Sequence, residues 1–501
     1  MAATANALDR AILAVAPRWG LSRIRARSAA GALARHFEAA QGGRRTDAWT
    51  RSYADANVAA HPALALLRSH ARDLVRNNAW ARRALRVITN NTVGWGIHAK
   101  PVGQGFEKAR AAWNAWANST QCDAAGRLPF SGLQALVMRC VAESGEALVR
   151  RRRRFVADGL PLPLQLQVLE PDFLDITRDN IVGQAGGPII QGVEFDLIGR
   201  RAAYYLFDRH PGSNLLGNIV SRRIPAEEVI HVYSVERAGQ VRGVSWYAPA
   251  ILNLKDFDEY EDAALIRQKV AACFAAFITD VDGTGVQLGE QTDDTPPVEM
   301  LEPGTMTRLP PGRNITFANP PMSGDDGFST RTLRRIAAAL GVTYEDMTGD
   351  YSQVNFSSAR MARLSHWANV HDWRWNMLIP QLCDVVWSWA MDAAALLGLV
   401  PGDAEPLAEW TPPPMPMIEP DKEGLALTRL VRAGAMTPSE MVRQQGEDPE
   451  GHWREYQEDL ARLDAAGIWL DSDVRRVSQA GLTQERAGAG GASGEAQGAG
   501  G

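Results

Sequence analysis

Five carboxylates stand within seven residues at Asp256, Asp258, Glu259, Glu261 and Asp262, a dense run of side chains able to hold metal ions. A two-metal nuclease centre uses such groups but gathers them from several elements around the ions. On one helix these five point around its circumference instead, as a solvated or ring-lining face does. His366 and His371 are five apart in a helical stretch, so they lie on different faces and make a poor zinc pair. Cys122, Cys140, Cys273 and Cys383 are at least 18 residues apart, with no CxxC and no Cys/His spacing suited to zinc, which implies a reducing compartment. The phosphate loop GxxxxGK followed by Ser or Thr is absent, as are a helix-opening GxGxxG, GxSxG and HExxH. The residues therefore predict no catalytic group, no metal and no cofactor, with a metal-dependent nuclease as the rival from another class. The run Arg150 to Arg154 ends a strand beside a turn; it reads either as an aggregation-resistant strand end or as a contact for phosphate or an acidic partner.

With 501 residues, 45% apolar and 22% charged, the chain is long enough for two to four domains, and disulfide-stapled, fibrous and wholly disordered classes are excluded. Net charge is −5, but residues 1–250 carry 33 basic and 20 acidic side chains while the remainder carries 20 and 38. Only five of the 53 basic residues are lysine; a GC-rich genome and a need for forked phosphate-pairing donors explain that bias equally well. The apolar run Ala11 to Ala16 is too short for a secretory signal, and the nine-residue run Val270 to Ile278 falls short of a membrane span, so a soluble protein made inside the cell is expected.

Hydrophobic spacing assigns the elements that hold these residues. Residues 1–45 read as a partly ordered basic arm. Helical periodicity covers 61–93 with an almost purely cationic polar face, then 106–117, and 131–144 with Ser131 as cap. After Gly145 come strands, at 146–155 and 164–169 around an AlaAspGly turn, at 192–207 and at 229–233. Residues 248–279, free of glycine, predict one helix of 32 residues, roughly 48 Å long, whose charged middle cannot be buried in its own subunit. An excursion with short β pieces follows at 280–325, a helix at 330–340, a polar loop at 345–356, and a long helix at 357–399 kinked at Pro380. Residues 410–417 are a proline-rich connector, 421–466 two or three short helices, and the tail from 471 onward, almost all Gly, Ala, Gln and Glu beyond 484, is expected to be disordered. The class is α+β, mainly helical.

Several stretches, in their order, resemble the lambda-type portal proteins of tailed bacteriophages and their prophage relatives. They are HisAlaArgAspLeuValArgAsnAsnAlaTrpAlaArgArgAla at 70–84, AsnAsnThrValGlyTrpGlyIle at 90–97, LeuGlnValLeuGluProAspPheLeuAsp at 166–175, ArgGlyValSerTrpTyrAlaProAla and its helical continuation at 242–275, LeuProProGlyArgAsnIleThrPheAlaAsnProPro at 309–321, and ThrGlyAspTyrSerGlnValAsnPheSerSerAlaArg at 348–360. The likeness covers roughly residues 45–470.

The resemblance implies a portal-type fold: a wing at 46–245, long stem helices at 246–280 and 326–344, a small clip at 281–325, a channel loop at 345–356, a long wing-to-crown helix at 357–410 and a helical crown at 411–470. It implies a closed ring of usually twelve copies at one capsid vertex of the virion, assembled in the host cytoplasm and without enzymatic activity. Its partners would be double-stranded DNA passing through without sequence readout, the terminase large subunit, a head–tail connector, and the major capsid or scaffold protein, with no membrane. Asp256, Asp258, Glu259, Asp262, Asp350, Tyr351, Ser352, Gln353 and Asn355 are then the expected channel lining, and Ala271, Ala272, Ala275 and Ala276 a close subunit contact. A smaller head–tail adaptor ring is the other reading, disfavoured by the length.

Overall fold

The computed structural model describes residues 7–19, 21–23, 53–101, 105–213, 219–272, 276–280, 313–317, 327–401 and 407–468, with 470, 473 and 475. Residues 1–59 and 60–501 form two units. The first carries a short helix, α1 (Ala7–Val15), within the expected basic arm.

In the second unit, the helical region expected over 61–93 consists of two helices, α2 (Leu64–Asn77) and α3 (Ala79–Thr92). Asn78 takes an extended conformation between them and its side chain accepts the Ala81 N–H at 3.0 Å, so the amide that breaks one helix starts the next. After β1 (His98–Pro101), α4 (Glu107–Ala117) buries Trp113 and Trp116, whose rings meet each other and Phe130. Next, α5 (Phe130–Ser144) starts behind Pro129, so Ser131 lies inside its first turn and is not the cap. Gly145 ends it at φ 92°, where a Cβ would sit 2.5 Å from the Val244 carbonyl carbon; only glycine allows this approach of two chain segments.

Two antiparallel sheets follow. In the first, β2 (Glu146–Arg153) lies between β3 (Leu164–Leu169) and the later β9, with Val149 opposite Val168 and Ile230. The second is a meander of β4 (Ile181–Val182), β5 (Gly186–Ile190), β6 (Val193–Asp196), β7 (Arg201–Phe207) and β8 (Ser221–Pro225), and the short strands expected within 192–207 are the hairpin of β6 and β7. Then β9 (Val229–Tyr233) returns to the first sheet, and Leu148, Leu169, Val193, Tyr204 and Ile224 form a small core of their own.

The expected 32-residue helix is shorter: α6 runs Ile251–Ala272, 22 residues and about 33 Å. Pro249 stands just ahead of its first turn, and at the far end the chain turns to β10 (Ala276–Asp280), paired antiparallel with β11 (Arg313–Phe317). The β-branched and aromatic residues of 276–280 outweigh the helical pattern once a partner strand is available. The other β pieces expected at 298–301 and 305–309 lie outside the described residues.

Then come α7 (Phe328–Ala339) and a short α8 (Tyr344–Thr348), which occupies the first part of the expected loop at 345–356. The long helix is continuous but not uniform: α9 (Phe356–Asp372) passes into an 11-residue π-helical segment, Trp373–Cys383, and on to α10 (Asp384–Leu396). Pro380, where a kink is expected, lies inside that segment, whose wider i to i+5 turn accommodates its missing N–H and its ring. Next, β12 (Ala408–Thr411) pairs with β1, so the first residues of the proline-rich connector are strand. The connector leads to α11 (Pro420–Arg432), α12 (Pro438–Gln444) and α13 (Pro449–Ala466). Arg110 on α4 pairs with Asp448 and, at 3.0 Å, with Glu450, tying the start of α13 to the body.

One core joins α2 to α5, the first sheet, the first two turns of α6, α7, α8, the π segment and α10. Among the described residues no helix is long and apolar enough to cross a membrane.

Candidate functional site

Ile251, Leu254 and Phe257 bury the first two turns of α6 in that core. Beyond Tyr260, whose ring meets Phe328 at 4.7 Å, the helix leaves its own chain: residues 261–269 are exposed except half-buried Ala264. Two large aliphatic side chains on this stretch, Leu265 and Ile266, are 51% and 60% exposed, more than their apolar area favours in water. Apolar and charged residues are scattered around the axis, as expected for a helix with several kinds of neighbour.

Asp256, Asp258, Glu259 and Asp262 are all exposed. Asp258 accepts the Asn78 side-chain N–H at 3.2 Å, and Glu261 accepts the Trp80 indole N–H at 3.3 Å, so these two carboxylates steady the start of α3. Glu259 lies 3.6 Å from Lys255 one turn back. The five carboxylates do not converge, which is not the geometry of a two-metal centre. Of the small residues, Ala271 and Ala272 end the helix, Ala276 opens β10 opposite Phe317 and so is not on the helix at all, and Ala275 lies outside the described residues.

The expected loop contracts to 349–355. Gly349 ends α8 at φ 73°. The Asp350 carboxylate then accepts the Tyr344 hydroxyl and the Ser352 N–H, both at 3.0 Å; hydrogen bonds from Ser352 and then Tyr344 hold it below the usual carboxylate range. Asn355 accepts the Ser358 N–H at 2.9 Å and caps α9. Asp350 and Asn355 are therefore structural staples, and Tyr351, Ser352 and Gln353 are left as the exposed, neutral face between them.

The histidines behave as separate groups. His366 is buried, with Nδ1 3.1 Å from the Gly341 carbonyl and Nε2 3.0 Å from the Asn91 amide, whereas His371 is exposed. Burial pushes the Cys122 thiol up to about 12, far from a nucleophile's range. Of the arginine run, Arg151 lies 3.1 Å from Asp392 and over the Trp389 ring, Arg152 donates to Gln167, and Arg154 to Gln165 at 2.7 Å. The run stitches the sheet to α10 and to its own neighbouring strand.

Sequence reasoning missed a buried ion network. Glu146, wholly buried, accepts from Arg242 at 2.5 to 3.0 Å, from His231 Nε2 at 2.8 Å and from the Gly243 N–H at 2.8 Å, with Arg68 at 3.7 Å. Burial acts to raise its carboxyl, but Arg242 and His231 outweigh it and hold it far below the usual range. Burial lowers His231 despite Glu146, so its ring is neutral. The network continues from Arg68 to Asp172 at 3.2 Å and from Arg72 to Asp172 and Glu170 at 2.6 and 3.0 Å. Glu170, Asp172 and His210 bring ligand atoms within 4.8 Å of one another, but these two arginines already neutralise the carboxylates. The only sequence signal was an acidic residue opening a strand after a glycine, which does not single it out.

A family model for the phage portal protein, lambda family, matches residues 42–374, about two thirds of the chain. The chain belongs to this family. Among portal relatives it is similar to a probable portal protein of Halomonas phage phiHAP-1, 27% identical over 463 residues that cover 87% of this chain and 88% of the relative. It is 26% identical over 389 residues to the portal protein of Escherichia phage N15, covering 69% and 72%, and 26% identical over 342 residues to portal protein B of Escherichia phage lambda, covering 60% and 63%. Among solved structures it is similar to a chain in the neck of a native gene transfer agent particle computed with C12 symmetry, at TM-score 0.44 and 17% identity, covering 76% of this chain and 94% of the other. A chain in the virion of the native particle matches at TM-score 0.44 and 18% identity, with the same coverage.

Proposed function

We propose that this portal protein closes into a ring, of twelve copies, at one capsid vertex of a virion, and serves as the conduit for packaging and ejecting double-stranded DNA. It acts as structure, with no catalysis of its own. The terminase large subunit, a head–tail connector and the major capsid or scaffold protein would dock on it, and assembly would take place in the host cytoplasm. The observation that carries the reading is α6: anchored by two turns and exposed beyond them, with Leu265 and Ile266 in solvent, it is satisfied when copies of itself stand on either side.

In this arrangement α6 and α7 are the stem, residues 349–355 the channel loop, the two sheets part of the wing, and α11 to α13 the crown. Asp256, Glu259 and Asp262 would face the channel with Tyr351, Ser352 and Gln353, repelling phosphates, so that this acidic face supplies no counterion-release affinity and lets DNA slide past it. Ala271 and Ala272 would lie at the subunit contact. Light scattering and electron micrographs of the purified protein test the ring: twelve 54.6 kDa chains give about 655 kDa with a central hole. A monomer at working concentration refutes the reading, as does divalent-metal-dependent cleavage of DNA by the pure protein. Reversing Glu259 and Asp262 to arginine should leave the ring intact and impair packaging; unimpaired packaging removes these acids from the channel.

A further inference from the structure

Residues 349–355 contain no lysine or arginine, but the elements packed around them do. Helix α3 has no Asp or Glu between Ala79 and Thr92, and it carries Arg82, Arg83 and Arg86, all exposed, with Arg86 one turn beyond the other two. Helix α7 likewise has no acid between Phe328 and Ala339 and exposes Arg331, Arg334 and Arg335. Both helices pack against α8, which leads into the loop. Arg83 Nε donates to the Asp346 carbonyl at 2.9 Å, and the Arg334 guanidinium lies 5.4 Å from the centre of the Tyr344 ring, whose hydroxyl in turn holds Asp350. Arg83 and Arg334 thus touch α8 directly, and Arg82, Arg86 and Arg335 are exposed on the same two helices, close to them in sequence. Among the described residues Arg82, Arg86 and Arg335 have no carboxylate within ion-pair distance.

We propose that Arg82, Arg83, Arg86, Arg334 and Arg335 form a phosphate-contacting patch that touches the sugar–phosphate backbone of duplex DNA beside the loop, without reading its bases. This rests on the conduit reading and adds to it a local grip next to the repelling acids of α6. A guanidinium fork matches a phosphate's two oxygens and is always charged. The two helices pack on the short helix that leads into a loop whose exposed residues, Tyr351, Ser352 and Gln353, are neutral hydrogen-bonding groups. A long uniform polyanion can meet arginines of both helices and the loop at once, whereas the carboxylates of a second copy's α6 are spread around its axis and present no continuous acidic face.

The test uses the full-length protein, a mixed-sequence DNA duplex of about 40 base pairs and binding by fluorescence anisotropy from about 50 to 200 mM salt. Wild type should show a steep loss of affinity with salt, equal for unrelated sequences. The R82A/R83A/R86A variant should flatten the log–log slope by about 2 to 3, from about 0.9 per lost phosphate contact, and weaken low-salt binding at least tenfold. R82K/R83K/R86K should keep the slope, and R334A/R335A should flatten it independently. An alanine variant with wild-type slope overturns the patch. A variant that loses ring mass while DNA binding stays unchanged assigns the arginines to a second copy and also overturns it. Absence of a ring in wild type would instead strike the conduit reading, so the two failures are distinguishable.

Discussion

Glu146 shows how much one side chain can organise. It is buried with a charge, answered by Arg242, Arg68 and a neutral His231, and its Gly243 contact holds the chain just before α6. Removing it strands buried Arg242 and leaves Arg68 with Asp172 alone, so Glu146→Ala should cost about 3–5 kcal/mol in denaturant unfolding. The pH dependence has two parts. His231 is lowered in the folded state, so stability should begin to fall as pH drops below its ordinary 6.5, because the unfolded chain gains a proton that the folded chain refuses. Glu146 is lowered too, so its contribution is present above its ordinary 4.5 and is lost as pH falls below it. Unfolding midpoints measured from about pH 8 down to about pH 3 should lose their upper step in His231→Gln and their lower step in Glu146→Gln.

Arg374, inside the π segment, joins three elements. With 2% of its surface exposed and no carboxylate beside it, it donates to the carbonyls of Thr92, Asn91 and Pro413 at 2.7 to 2.9 Å, and burial lowers its pKa to about 10. It thereby satisfies the free carbonyls at the C-terminus of α3 and fastens the proline-rich connector to that helix. Arg374→Ala should destabilise by about 2–4 kcal/mol through orphaned carbonyls, and Arg374→Lys, lacking the fork, should recover less than half; thermal unfolding reads both. Gly243 makes a comparable demand on the backbone: an added Cβ would lie 2.1 Å from the Gly145 carbonyl oxygen, so Gly243→Ala should cost about 1–3 kcal/mol.

For the molecule as a whole, the decisive surface is the half of α6 that its own subunit leaves uncovered. Leu265→Asp with Ile266→Asp should leave the unfolding midpoint of the subunit unchanged, since neither side chain packs within it, while the ring mass seen by light scattering collapses. Retention of the full ring mass would show that subunits meet elsewhere. The charge asymmetry between the chain's halves gains a spatial meaning too. Of the arginines on α2 and α3, buried Arg68 and half-buried Arg72 answer acids, whereas exposed Arg82, Arg83 and Arg86 make no ion pair among the described residues.

The amino-acid sequence by itself determined the class of the fold, most helix positions, the strand-rich middle and membership of the portal family, because hydrophobic period, glycine placement and extended motifs are local properties. It also showed that the charged middle of α6 has no apolar face of its own. What only tertiary structure decided were properties of neighbours: that 276–280 pairs as strand with 313–317, that Pro380 is housed in a π turn, that Asp350 and Asn355 are staples, and that Glu146 and Arg242 meet across 96 residues. The physical reason is the same in each case. A strand needs a partner, a buried charge needs its counterion, and the arginines beside the loop come from helices more than 240 residues apart in sequence, yet within contact of the same turn.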